Sequence, residues 1–119
     1  MKQLDEKVLV SGQIAAADVA AIKAAGVTMI VNNRPDGEEP GQPLAADIEA
    51  AAEAAGLTYR SVPIVRGMGP SDVEAMREAI EACDGKLLAF CRSGTRSTMA
   101  WALARRHQGA PIDELEAAA

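Results

Sequence analysis

Three aromatic residues in 119, one histidine and two cysteines leave this chain few ways to build a site. A lone histidine, His107, with two separated cysteines cannot assemble a Cys/His zinc site. Two cysteines are too few for a disulfide framework. The strand expected between Cys83 and Cys91 also holds them some ~16 Å apart at about 3.3 Å per residue, beyond the ~7 Å that a bridge tolerates. No apolar run approaches the ~18 residues of a membrane-spanning helix. The N-terminus, Met1-Lys2-Gln3-Leu4-Asp5-Glu6-Lys7, carries acids and no long apolar stretch, so no signal peptide is expected and the cytoplasm is the expected location. Basic charge is lacking too. A net charge of −5 argues against nucleic acid as a partner, because a phosphate backbone needs a basic face. No metal, cofactor or membrane contact is expected.

What is present suits one globular domain over residues 1–119, with 49% hydrophobic and 24% charged residues. Twenty-five alanines imply thin, closely packed helices, with Val, Ile, Leu and Met filling the core. Trp101, Tyr59 and the methionines are read as core.

Along the chain, Val8–Val10 is expected as a short strand at an edge. A helix over about Ala16–Ala25 ends at Gly26. Val27–Val31 is β-branched and apolar on both faces, as in a buried parallel strand. A long polar loop, Asn32–Gly41, precedes a helix over Leu44–Ala55, closed by Gly56. Leu57–Pro63 is the third strand, followed by the loop Val65-Arg66-Gly67-Met68-Gly69-Pro70. Ser71 is expected to cap the next helix, with Val73, Met76, Ile80 and Cys83 along one face. Cys83 is read there as a buried structural thiol. Leu87–Phe90 is a strand leading into Cys91. The last long helix covers about Thr95–His107, with Met99, Leu103 and Arg106 on one stripe and His107 near its last carbonyls. A polar tail or short helix follows over Ile112–Ala119.

Strands alternating with helices imply a mostly parallel sheet of the α/β class. The strands at Val27, Leu57 and Leu87 then end at one rim, and their polar loops, Asn32–Gly41, Val65–Pro70 and Cys91–Arg96, meet there. Ligands of open α/β sheets bind at that rim.

Cys91-Arg92-Ser93-Gly94-Thr95-Arg96 is the loop that carries chemistry. Its backbone N–H groups and the following helix N-terminus favour a thiolate at Cys91. Arg96 can bind an oxyanion bidentately, Ser97 can donate its hydroxyl to the sulfur, and Gly94 supplies a turn with positive φ. Ser93 and Thr95 lie in the same anion-binding turn. Arg92, Arg34 and Arg66 are open between site and solvent. Asp36, Glu38 and Glu39 are open between a solvated loop and acid groups facing the site.

Asn32-Asn33-Arg34-Pro35-Asp36-Gly37-Glu38-Glu39-Pro40-Gly41-Gln42-Pro43, together with Cys91-Arg92-Ser93-Gly94-Thr95-Arg96-Ser97, resembles the phosphatase-like domain of beta-lactamase-hydrolase-like proteins. The resemblance implies a dual-specificity-phosphatase-like fold, a central sheet of four or five strands flanked by helices. Some relatives are fused to a persulfide dioxygenase, which implies a sulfide-oxidation context. Three features depart from the phosphatase pattern. Four residues, not five, separate Cys91 from Arg96. Phe90 stands where a histidine is usual. The nearest aspartate after Pro63 is Asp72, expected in a helix. The six-residue loop looks like a rhodanese loop.

The leading expectation is therefore a sulfurtransferase: Cys91 carries a sulfane sulfur from thiosulfate or a persulfide to a thiol acceptor, with a persulfide dioxygenase as a possible partner. The alternative is a cysteine phosphatase acting through a cysteinyl-phosphate, with Asp36 or Asp72 as a doubtful acid. A third reading is a non-catalytic anion or redox sensor.

Overall fold

The computed structural model describes residues 1–65, 67–109 and 118, apart from the side chain of His107. Its elements are β1 (Lys2–Gln3), β2 (Val8–Ser11), a 3₁₀ turn (Ala16–Asp18), α1 (Val19–Ala24), β3 (Val27–Asn32), α2 (Ala45–Ala54), β4 (Thr58–Ser61), α3 (Pro70–Ala82), β5 (Lys86–Phe90) and α4 (Thr95–His107). The strands form one sheet in the order β1-β2-β5-β3-β4. Only β1 is antiparallel to its neighbour; β2, β5, β3 and β4 run parallel. The expected single α/β domain with a mostly parallel sheet and flanking helices is what the chain forms.

Period-two alternation divides the core between the two faces of the sheet. Leu87 and Ala89 join Val8, Val10 and Val31 beneath α3 and α4, while Leu88 and Phe90 join Leu9 and Ile30 beneath α1 and α2. Along β3 the alternation slips. Val27 lies on the α1/α2 side and Met29 on the α3/α4 side, although they are two residues apart. Val27 pairs with Lys86 and Met29 with Leu87, so Thr28 is an extra residue bulged out of the ladder. Gly85 makes room for it, since a Cβ there would sit 2.7 Å from Thr28 Cγ2.

Several local expectations are corrected by packing. Helix α3 begins at Pro70 with Gly69 as N-cap, and the Asp72 carboxylate accepts the Gly69 N–H at 3.1 Å; Ser71 is not the cap. Proline fits the first helical position because that N–H has no intrahelical partner. The third strand is shorter than expected, Thr58–Ser61. Met99 and Leu103 are exposed, and α4 instead buries Ser97, Ala100, Trp101 and Ala104. Met1 is exposed as well, whereas Met29 and Met76 are core. The small residues let α4 lie close to α3 and the sheet. Strand β2 is not an edge strand, because β1 covers its outer side. The tail expected over Ile112–Ala119 lies outside the described residues except for Ala118, which packs against the α3/α4 side of the core. No helix among the described residues is long and apolar enough to cross a membrane.

Candidate active site

The carboxyl ends of β2, β3, β4 and β5 form one rim, and β5 is the strand that delivers Cys91 to its centre. β5 lies between β2 and β3, and both neighbours grip the loop that follows it. The Cys91 N–H reaches the Ser11 carbonyl at 3.4 Å, the Gln13 N–H donates to the Arg92 carbonyl at 3.2 Å, and the Asn33 N–H donates to the Phe90 carbonyl at 2.9 Å. Gly12 suits this junction, because a Cβ there would crowd the Arg92 carbonyl oxygen at 3.0 Å. Gly94 turns the backbone with φ +92° and caps α4, which starts at Thr95. A residue with a Cβ tolerates that conformation poorly.

Cys91 is buried at the bottom of this turn. Burial alone would push its thiol pKa up. The N–H groups of Ser97, Ser93 and Gly94 and the Ser97 hydroxyl converge on the sulfur and outweigh burial, holding the thiol below its ordinary value. The Gly94 N–H lies 3.1 Å from Sγ. This is the anion nest expected of a loop that runs into a helix N-terminus.

Arg96 projects from the first turn of α4 and is held along one edge of its guanidinium. Its Nη1 donates to Glu38 Oε2 at 2.8 Å and to the Ile64 carbonyl at 2.9 Å, and its Nη2 donates to Glu38 Oε1 at 2.8 Å. A guanidinium carries five N–H donors. The Nε–H and the second Nη2–H remain on the side-on edge, and Arg96 also interacts with Cys91. The Arg96 and Arg34 guanidiniums hold the Glu38 carboxyl at a pKa of about 2, against some opposition from burial.

Arg34 is buried, with each guanidinium nitrogen engaged: Nε with Glu38 at 2.8 Å, Nη1 with Gln13 at 3.0 Å, and Nη2 with Glu39 at 2.8 Å. Arg92 is exposed and pairs with Glu39 at 2.7 Å. Arg34, Arg92 and Arg96 against Glu38 and Glu39 leave one positive charge in excess on an otherwise acidic chain. Ser93 and Thr95 are exposed, and their hydroxyls lie 3.1 Å apart. Asp36 accepts the Ala45 N–H at 2.9 Å, at the start of α2. Arg66 lies outside the described residues.

Asn33, Gln13 and Gly12 belong to this assembly and were not singled out from sequence. Asn33 is fully buried; its Nδ2 donates to the Val62 carbonyl at 3.0 Å and its Oδ1 accepts from Ser97 Oγ at 2.8 Å. The available signal was a pair of asparagines closing an apolar strand at the rim. Gly12 had the weaker signal of a glycine just after a strand, and Gln13 had none. Among the described residues, no group of three or more His, Cys, Asp or Glu side chains could hold a metal ion.

This sheet order, with a cysteine turn between β5 and α4, falls in the class of dual-specificity-phosphatase-like α/β folds. The chain belongs to the phosphatase-like domain family of the beta-lactamase hydrolase-like proteins, which it matches over residues 1–108. It is 38% identical over 116 residues to the beta-lactamase hydrolase-like protein of Xylella fastidiosa, covering 96% of this chain and 27% of that protein. The chain thus spans about a quarter of the length of the curated relatives it matches. A crystal structure from Neisseria meningitidis, described as a candidate phosphatase, superimposes with a TM-score of 0.84 at 38% identity, covering 96% of this chain and 82% of that one. Kinase associated phosphatase, in a form whose catalytic-site cysteine is replaced by serine, shares the fold at a TM-score of 0.68 and 18% identity, covering 87% of this chain and 62% of that one.

These likenesses overturn the sulfurtransferase expectation. The structural relatives are phosphatase folds and not rhodanese folds. The six-residue turn from Cys91 to Arg96 is therefore not a marker of sulfur transfer. Gly94 at positive φ and the start of α4 at Thr95 close the shorter turn on a phosphatase-type frame.

Proposed function

We propose that the protein is a cysteine-dependent phosphatase acting on a small or peptide-borne phosphomonoester through a cysteinyl-phosphate. The observation that carries this reading is the convergence of three N–H groups and a hydroxyl on Cys91 Sγ beside an arginine held by its far edge. The Cys91 thiolate attacks phosphorus, an S–P bond forms, and the ester P–O bond breaks with its electron pair on the leaving oxygen. The side-on edge of Arg96 and the amides of the turn hold the non-bridging oxygens where charge accumulates. Water then attacks phosphorus, the S–P bond breaks, and the returning thiolate is received by the N–H groups of Ser93, Gly94 and Ser97. Holding Arg96 in place is the role of Glu38, and Arg34 orients Glu38 in turn. Ser93 and Thr95 line the mouth of the turn, where Arg92 adds positive charge.

The test is phosphate release from p-nitrophenyl phosphate by the wild type, Cys91→Ser and Arg96→Lys. Turnover is expected to vanish with Cys91→Ser. It should fall by about 10²–10³ with Arg96→Lys, because an ammonium cannot reproduce the two-point contact. Intact-protein mass after rapid acid quench should reveal one phosphoryl group on the wild type. Hydrolysis that survives Cys91→Ser would overturn the proposal, as would no hydrolysis at all.

A further inference from the structure

Gln13 closes a ring of hydrogen bonds around the arginines of the rim. It follows β2, and its own N–H donates to the Arg92 carbonyl at 3.2 Å, inside the cysteine turn. Its side-chain oxygen accepts from Arg34 Nη1 at 3.0 Å, in the loop after β3. Arg34 Nη2 meets Glu39 Oε1 at 2.8 Å, and the same oxygen meets Arg92 Nε at 2.7 Å, which returns the ring to the turn. The orientation of the Gln13 amide is dictated from both sides. Its Nε2 donates to the Ile14 carbonyl at 2.7 Å, so Oε1 is left to face Arg34. A flipped amide would set a donor against a donor.

Arg34 links this ring to Arg96. Its Nε donates to Glu38 Oε1 at 2.8 Å, and that oxygen also accepts from Arg96 Nη2 at 2.8 Å. Arg34 is only 5% exposed, so a guanidinium nitrogen that loses its acceptor is stranded in the interior. The guanidinium must then turn to find another partner, and Glu38 turns with it. Resting on the phosphatase reading, we infer that Gln13 is a positioning residue for the reaction. Through Arg34 and Glu38 its side chain sets the angle at which Arg96 presents its side-on edge to the phosphoryl oxygens. This role is separate from that of the Gln13 N–H, which holds the turn and survives replacement of the side chain.

Gln13→Met removes the acceptor while keeping the length of the side chain and the backbone N–H. Two measurements read it: kcat and KM for p-nitrophenyl phosphate, and protection of Cys91 from iodoacetamide by inorganic phosphate. A misplacement of about 1 Å costs up to about 10² in rate, so kcat is expected to fall by about 10–10². The phosphate concentration that half-protects Cys91 should rise by about tenfold, the worth of one hydrogen bond to a charged group. Without phosphate, the pH at which Cys91 becomes reactive should not move, because the donors from Ser93, Gly94 and Ser97 stay in place. Gln13→Glu, which keeps an oxygen opposite Arg34, should recover most of the loss. In an Arg96→Lys background, Gln13→Met should cost nothing further, since the group it positions is gone.

A full second loss in that background overturns the inference. So does an equal loss in Gln13→Met and Gln13→Glu, which would assign the role to the Ile14 contact. A displaced alkylation profile overturns it too, because the substitution would then have disturbed the turn itself. If phosphate protects Cys91 of the wild type but nothing is hydrolysed, the phosphatase reading fails and the protection assay still decides the role of Gln13. Absence of protection in the wild type overturns both.

Discussion

Ser97 Oγ donates to Asn33 Oδ1 at 2.8 Å, and both residues are buried. The contact joins α4 to the end of β3, sixty-four residues apart, directly beneath the cysteine turn. Asn33 cannot turn away, because its Nδ2 donates to the Val62 carbonyl at 3.0 Å while its own N–H holds Phe90. The Ser97 hydroxyl also lies within reach of Cys91. The hydroxyl carries a single hydrogen, so the Asn33 amide oxygen and the thiolate compete for it.

Replacing Asn33 by alanine removes the Ser97 acceptor and the Val62 donor together. Stranding buried polar groups costs about 1–3 kcal/mol. Asn33→Ala should therefore lower the unfolding free energy by that amount, read as a lower urea midpoint at an unchanged m-value. An unchanged midpoint would mean that water replaces the amide and the contact is incidental.

Ser97→Ala tests the other end of the same hydrogen bond. The hydroxyl is one of four donors that keep the Cys91 thiol below its ordinary pKa, so its loss should move that pKa upward. The rate of alkylation by iodoacetamide against pH reads the thiolate directly. The wild-type curve should rise at lower pH than a free cysteine, and the Ser97→Ala curve should lie between the two. Coincident wild-type and variant curves would assign the effect to the backbone N–H groups alone.

Glu38 makes a prediction for acid stability. Its carboxyl is held at about 2 against an ordinary 4.5. A depressed carboxyl pKa contributes stability that is complete above the ordinary value and is lost as pH falls through the folded value. Wild-type stability should therefore exceed that of Glu38→Gln above pH 4.5, and the gap should close between 4.5 and about 2. Chemical denaturation of both proteins across that range measures it. A gap independent of pH would show that Glu38 acts by packing and not by charge.

The alternation of apolar strands with alanine-rich helices was enough to reach the parallel sheet. A buried strand and a helix face carry their periodicity in local sequence. The cysteine turn was legible for the same reason: Cys91, Gly94 and Arg96 stand within six consecutive residues between a strand and a helix. Helix faces built from alanine were less legible. Met99 and Leu103 outrank Ala100 and Ala104 in hydrophobicity, yet α4 buries the alanines because close approach to α3 and the sheet rewards small side chains. The N-cap of α3 was misread because Ser71 and Gly69 both precede an acidic first turn, and only the backbone decides which one ends the extended segment.

By itself, then, the sequence determined the α/β class, the rim where the loops meet and the residues of the cysteine turn. Each of these is encoded within one element or one loop. The tertiary structure alone decided what the turn is surrounded by. It committed Glu38 to Arg96 and Arg34, seated Asn33 under Ser97, closed the turn with Ser11, Gly12 and Gln13, and gave Asp36 and Asp72 to helix starts. These partners come from different strands and loops, brought together because β5 is inserted between β2 and β3. That strand order is a consequence of long-range packing, which no local pattern of residues records. It is also why the spacing of Cys91 and Arg96, taken alone, pointed to the wrong chemistry.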